Sequence, residues 1–430
     1  MKGKLNLFQA AMVRWREMHP YNAVHVVHVS RPFDATRLQA SIRRQLEELG
    51  LTGLSLDPRR MRFEWSGGAA ATTLAVLVGG TDPLATVHGE VERQLNLAFP
   101  AGGRLDPFRF FVVADEASFH LGIAYDHFIA GGDSIVLLLQ HFVEDYCGIA
   151  GFDPPSPRPV LYPPKYGRLF ARQAIPLVKG LASLRHLVAS CRRSVRPHYA
   201  RGGDGYNGVA FFRLDSAEHA NVARTAHAWG MTQNDLLLSI LLRILSPRVA
   251  ERRQAKRRRE LAVASIVNVR RDFGAKAAHG FVPLLASFRI AHPVPPDMGL
   301  RELAGFVHAE SSRVKRGKLY LQTLLAIGLS GLQWRFLSVE QRQGFHAKNY
   351  AVWAGVTPLQ LDALWPAART YPFRIEYVRA VATGPLSPIV VAPTTLGDAV
   401  QIALSFRTAA LDRERVDGII ADIIDCIRSL

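Results

Sequence analysis

The residue best placed to move a proton is His127. It follows a strand-like run in which Phe119, Leu121, Ile123 and Tyr125 share one face, and it continues their phase. An imidazole titrates near neutral pH and can take a proton from an attacking amine or hydroxyl. Gly131, Gly132, Asp133 and Ser134 follow as a turn and a helix start. The helix behind them carries Ile135, Leu138, Leu139, Phe142 and Tyr146 on one side. Backbone N–H groups at such a start are available to hold an oxyanion or to orient a substrate. The competing reading of a histidine here is a buried ring satisfied by a backbone carbonyl. Among the other histidines, His120 lies on the opposite strand phase and faces away. His141, beside Gln140, belongs to a helix surface. His279 precedes Gly280 in a loop and can line a cleft.

The elements that must position His127 are spread over 430 residues, a length that suits two lobes rather than one small core. Hydrophobic residues make up 48% and charged residues 21%, which are globular values. The longest strongly apolar run, Leu236 to Leu245, is interrupted by Ser239 and Arg243, whereas a membrane-crossing helix needs about 20 apolar residues. The first residues have no apolar core of signal-peptide length, so a cytoplasmic protein is expected, with a peripheral place on the inner membrane face left open. Cys147, Cys191 and Cys426 are too far apart for a zinc signature and are read as reduced thiols. No Walker loop, Gly-x-Gly-x-x-Gly or Gly-x-Ser-x-Gly is present, which disfavours nucleotide-binding and α/β-hydrolase folds. The net charge of +17 fits an acidic partner or a phosphate-bearing one.

Strands and helices alternate loosely in both halves, which predicts an α/β fold of two lobes with mixed sheets. The first lobe spans 1–153. A connection at 154–205 follows; between Pro154 and Gly203 it holds ten Lys or Arg and no acid, and its middle is helical in spacing. The second lobe spans 206–430. Its expected strands include Leu261 to Val269, Leu284 to Ile290, Phe373 to Val378, Ile389 to Ala392 and Ala399 to Phe406.

Asp126-His127-Phe128-Ile129-Ala130-Gly131-Gly132 resembles the His-His-x-x-x-Asp-Gly motif of non-ribosomal peptide condensation domains. The setting is similar too: a Pro-Phe-Arg strand start at Pro107 to Arg109, a hairpin, the motif, then a helix ending near Tyr146 and Gly148. Thr232-Gln233-Asn234-Asp235 resembles a family helix start, Ser265-Ile266-Val267-Asn268-Val269-Arg270 resembles a family strand end, and Leu404-Ser405-Phe406-Arg407-Thr408 also fits the family. The resemblance covers nearly all of the chain outside Pro154 to Gly203. It implies two chloramphenicol-acetyltransferase-like lobes in a V, with a tunnel at their interface and His127 midway along it. It also implies an acyl thioester as co-substrate, on coenzyme A or on carrier-protein phosphopantetheine, with no metal and no bound cofactor.

Two positions depart from the motif. Asp126 replaces its first histidine, a structural position in the family, and Gly131 replaces its aspartate, which in the family pairs with an arginine. Asp133 either substitutes for it by pairing with Arg270 or merely caps its helix. By family position, Asn349, Trp353 and Thr357 fall in a loop bridging the lobes, where Trp353 either lines the acyl path or packs in the core. Ser265 and Asn268 end a strand beside the expected tunnel or only satisfy turn backbone. The implied activity is transfer of an acyl group to an amine or hydroxyl, with His127 as base or as positioning group. The alternative is a catalytically silent module that recruits a carrier protein or a tailoring enzyme. Seven Lys or Arg within Arg248 to Arg259 suit an acidic carrier protein or a coenzyme A phosphate, unless they are simply solvated. The basic, partly apolar stretch at 154–205 suits an anionic membrane or a lipid. No nucleic-acid-binding module is recognisable.

Overall fold

Asn22 to Val29 and Phe119 to Asp126, two runs rich in Val, Ile and aromatic residues, are buried along almost their whole length. That is what central strands covered on both faces require. The computed structural model describes residues 1–149, 158–161, 166–200, 205–250 and 258–430. In chain order, the first half contributes α1 (Leu7–Trp15), β1 (Asn22–Val29), α2 (Ala35–Glu48), β2 (Leu74–Val78), α3 (Pro83–Asn96), β3 (Phe108–Ala114), β4 (Phe119–Asp126) and α4 (Gly132–Cys147). After a short helix, Tyr166–Arg172, comes the long helix α5 (Ala174–Arg193). The second half holds β5 (Asn207–Leu214), α6 (Ser216–Ala228), α7 (Gln233–Ala250), β6 (Leu261–Asn268), β7 (Leu285–His292) and α8 (Leu300–Arg316). These are followed by α9 (Leu321–Gln333), α10 (Val339–Asn349), β8 (Ala354–Val356), β9 (Leu359–Gln360), β10 (Ile375–Val381), β11 (Ile389–Leu396), β12 (Ala399–Arg407) and α11 (Arg413–Arg428).

Two large mixed sheets result. The seven-stranded one runs β7-β6-β8-β11-β12-β5, with β9 added beside β11. The five-stranded one runs β10-β1-β4-β3-β2. Lys2–Lys4, Arg62–Trp65, Leu54–Asp57 and Gly103–Leu105 form a small four-stranded sheet in the first half. The α/β class with mixed sheets is as expected. The division at 206 is not clean, because β10 leaves the second half and pairs antiparallel with β1 from Ile375 opposite Val29 to Val381 opposite Ala23. β1 has one edge against β4 and would otherwise leave the other unpaired, so the late strand closes it.

Local chemistry sets the elements around His127. α1 starts with a capping box, Asn6 and Gln9, and the same two side chains reach outward. Gln9 Nε2 donates to the Phe128 carbonyl at 3.0 Å, which ties α1 to the loop after His127, and Asn6 Nδ2 donates to the Pro283 carbonyl at 3.3 Å. α4 ends at Gly148, whose φ of 64° is the left-handed C-cap conformation that glycine accepts without strain. Part of the basic stretch is structural: α5 carries exposed Lys179, Arg185 and Arg192 among exposed apolar residues. Lys165 and Arg201 lie outside the described residues.

Candidate active site

His127 leaves β4 with its backbone N–H donated to the Tyr21 carbonyl at 3.0 Å. Its ring packs on Tyr21 at 5.5 Å and edge-on to Tyr125 at 5.9 Å. Nδ1 is buried without a hydrogen bond of good geometry, and the ring borders a cavity. The imidazole pKa is pulled down to about 4, first by burial and then by the Arg379 cation, while the Ala130 carbonyl acts in the opposite sense. The ring is therefore neutral at pH 7 and able to accept a proton.

The two departures from the motif are both accommodated. Asp126 is buried in an ion pair with Arg16, whose guanidinium also lies 5.2 Å from the Phe128 ring centroid. Burial raises the Asp126 pKa, and Arg16 opposes the rise. Asp133 forms a two-pronged ion pair with Arg270, through Nε and through Nη2 at 2.8 Å. Asn268 adds a third donor to the same carboxylate at 3.0 Å. Capping is secondary: the α4 N-cap is Gly131, which has no side-chain cap bond, although Asp133 accepts from the Ser134 N–H at 2.9 Å. Gly131 is needed for this arrangement, because a Cβ there would stand 2.7 Å from Asp133 Oδ1. The carboxylate has moved by two residues, and a side chain at 131 would press on its new position.

The cavity has a volume of about 730 Å³ and draws its walls from both large sheets. Of the residues singled out from sequence, His127, Gly132, Asp133, Asn268, Asn349 and Thr357 line it. Asp126, Gly131 and Arg270 stand behind that wall. Three of the residues singled out lie off the cavity wall. Ser265 faces away, because Ala264, Ile266 and Asn268 take the inward phase of β6, and it bonds to Asn234 of α7 instead. His279 is exposed off the cavity, where its carbonyl accepts from the Val160 N–H at 2.8 Å. Trp353 is a core residue whose indole donates to the Val195 carbonyl at 3.0 Å, while its neighbour Val352 and Gly355 border the cavity.

Sequence reasoning missed the polar floor of the site. His25 of β1 lies opposite Arg379 of β10 in strand register and shares hydrogen bonds with Tyr377 at 2.6 Å and Tyr125 at 3.3 Å. His25 is held far below its ordinary pKa, first by burial, then by Arg379 and His127. The signal was present: a histidine and an arginine on the inward phase of apolar strands. Trp15 and His346, joined by a 3.1 Å hydrogen bond, form another wall. The basic cluster at Arg248 to Arg259 is divided. Arg248 pairs with Asp422 at 2.5 Å, and buried Arg258 donates to the Ser194 carbonyl at 2.7 Å. Arg252, Arg253, Lys256 and Arg257 lie outside the described residues.

No protein-family model matches the sequence, and no curated protein is recognisably similar to it. The fold, however, is similar to that of solved structures over nearly the whole chain. The first condensation domain of the calcium-dependent antibiotic synthetase, in complex with a substrate analogue, superposes with a TM-score of 0.74 at 12% identity, covering 99% of this chain and 96% of that one. The starter condensation domain of rhizomide synthetase, in complex with C8-CoA, gives 0.69 at 13% identity, covering 100% and 95%. The X-domain in its complex with OxyB from teicoplanin biosynthesis gives 0.64 at 14%, covering 99% and 92%. The chain therefore has the condensation-domain fold over essentially its whole length.

Proposed function

We propose that this protein is a condensation-type acyltransferase that moves an acyl group from a thioester to an amine or hydroxyl. The observation that carries the proposal is a neutral His127 ring on the wall of a cavity of about 730 Å³, with its loop clamped by Asp133 and Arg270. The acceptor nitrogen or oxygen attacks the thioester carbonyl carbon, and His127 takes or orients the proton it sheds. The tetrahedral intermediate collapses, the C–S bond breaks, and the proton passes to the leaving thiolate. The product is an amide or an ester plus a free thiol. Gly132 and Asp133, at the positive end of α4, border the same cavity, and their backbone N–H groups suit the developing oxyanion.

The donor side is proposed to be a coenzyme A or carrier-protein thioester. Arg192 and Lys348 are exposed at the cavity margin, where they suit phosphate groups, and the net charge suits an acidic carrier. A silent recruiting module is the competing reading. The Asp133–Arg270 pair weakens it, since an aspartate–arginine contact like the one the motif implies is formed from two residues later.

Contact with an anionic membrane is proposed for the face made by α5 and α9. Ile175, Val178 and Leu181 on the first helix, with Leu329 and Leu332 on the second and Phe336 beyond it, are exposed, and Lys179, Arg185 and Arg192 flank them. Leu184, Leu187 and Leu329 of the same helices border the cavity, which suits delivery of a long acyl chain. Among the described residues no helix is long and apolar enough to cross a membrane.

The deciding test is transfer from a panel of acyl-coenzyme A and acyl-carrier thioesters to mixed amine and hydroxyl acceptors, read by intact mass, for wild type and His127→Ala. Turnover that collapses in the folded variant supports the proposal. No turnover from any donor, or equal turnover in the variant, moves the reading to a recruiting module or to another base.

A further inference from the structure

Arg379 is 4% exposed and belongs to the wall of the cavity that holds His127. Its Nε donates to Thr394 Oγ1 at 3.2 Å. Its Nη2 donates to the carbonyl of Thr357 and, at 3.3 Å, to that of Pro393. Nη1 has no acceptor among the described residues. Nor is Nη1 one of the sealed, unpaired atoms of the interior, so its N–H groups meet the cavity. No ion pair among the described residues includes this guanidinium, and the groups that favour its cation are the phenols of Tyr377 and Tyr125. Arg270, the other buried guanidinium of the site, carries a carboxylate directly. A buried cation without a counter-charge is costly and calls for an anion in the occupied state.

We infer that Arg379 anchors a carboxylate of the acceptor substrate, so that the acceptor is a free amino or hydroxy acid rather than a carrier-bound thioester. The inference rests on the acyltransferase reading for the word acceptor; the anion site itself does not. A thioester or an amide has no formal charge to offer Arg379. A phosphate monoester would bring close to two negative charges against one cation, whereas a carboxylate matches it one to one and accepts from the free guanidinium edge. A transient oxyanion would leave the charge uncompensated in every ground state. The placement also couples binding to chemistry. Arg379 is one of the groups that hold His127 unprotonated. A bound carboxylate screens it, so the imidazole becomes a better proton acceptor when the acid is in place.

The test is equilibrium binding, which needs no thioester and no turnover and is therefore independent of whether the protein is an active transferase. Octanoate, 3-hydroxyoctanoate and 3-phenylpropionate are titrated calorimetrically against their matched carboxamides. Wild type should bind at least one acid about tenfold or more tightly than its amide. Arg379→Gln should lose that preference, and Arg379→Lys should keep part of it. Because Arg379 also holds the Thr357 and Pro393 carbonyls, Arg379→Gln is first checked for a native circular dichroism spectrum. If it does not fold, wild type alone decides: the His127 imidazole signals should titrate at a higher pH with the acid bound and not with the amide. Equal affinity for every acid and its amide, a preference that survives in folded Arg379→Gln, or an unmoved His127 titration overturns the inference.

Discussion

Replacing Asp133 by Asn should cost about 3 kcal/mol of stability and most of the activity. Asp133 and Arg270 come from opposite halves of the chain, and their side chains are 12% and 8% exposed. Breaking a buried ion pair by removing one charge costs about 3–5 kcal/mol, because the surviving charge stays buried. Here the cost falls at the lower end. Arg270 keeps its bonds to the carbonyls of Ala277 at 3.1 Å, Gly280 at 2.5 Å and Val282 at 2.8 Å, and to Ser134 Oγ at 2.8 Å. The cation remains hydrogen-bonded and loses its counter-charge. Asn268 loses its charged acceptor as well, worth about 1 kcal/mol. Urea unfolding of wild type, Asp133→Asn, Arg270→Met and the double variant gives the interaction energy by a double-mutant cycle, which should be about 2 kcal/mol or more. Activity should fall by about 100-fold, since the pair fixes the loop between His127 and α4, and a displacement near 1 Å at a reacting centre has that effect. Asp133→Gly combined with Gly131→Asp, which returns the carboxylate to the motif position, should recover part of both losses. A cost below about 1 kcal/mol for Asp133→Asn, with additive single variants, would refute the claim that this pair supports the site.

His127→Ala should lower kcat/KM by about 100- to 10,000-fold in a protein that still folds; the thioester panel and a thermal melt check this together. Stability should decline as pH falls from about 6.5 toward 4. His19 is held near 3, and His127 and His346 near 4, all chiefly by burial. Below 6.5 the unfolded chain therefore binds protons that the native state refuses, up to about 1.4 kcal/mol per pH unit for each histidine. Urea midpoints at pH 7.5, 6 and 5 measure the trend, and a flat profile would contradict it. Val178→Glu with Leu332→Glu should abolish co-sedimentation with vesicles rich in anionic lipid while thioester turnover in solution persists; equal sedimentation of both proteins would remove the proposed membrane face.

Much of the site was legible in the sequence because its signals are local. The alternation through Phe119, Leu121, Ile123 and Tyr125 sets the phase of His127, since a strand turns its side chains by half a revolution per residue. Glycines at 131 and 132 before an amphipathic run mark a turn and a helix start, and an aspartate two residues past the expected one invites comparison with an arginine at a strand end. The same periodicity along β6 turns Ser265 away from Asn268, since the two differ by an odd number of positions. What required the tertiary structure is every pairing that no period encodes. β10 returns from the second half to close the sheet edge of β1, and that register sets Arg379 opposite His25. Trp353 lies in the core because the Val195 carbonyl meets its indole there. Whether a polar residue in an apolar strand faces protein, water or a substrate depends on which other strand arrives beside it. Sequence separation carries no information about that arrival, and the burial that sets the charge of His127 exists only once both halves have closed around it.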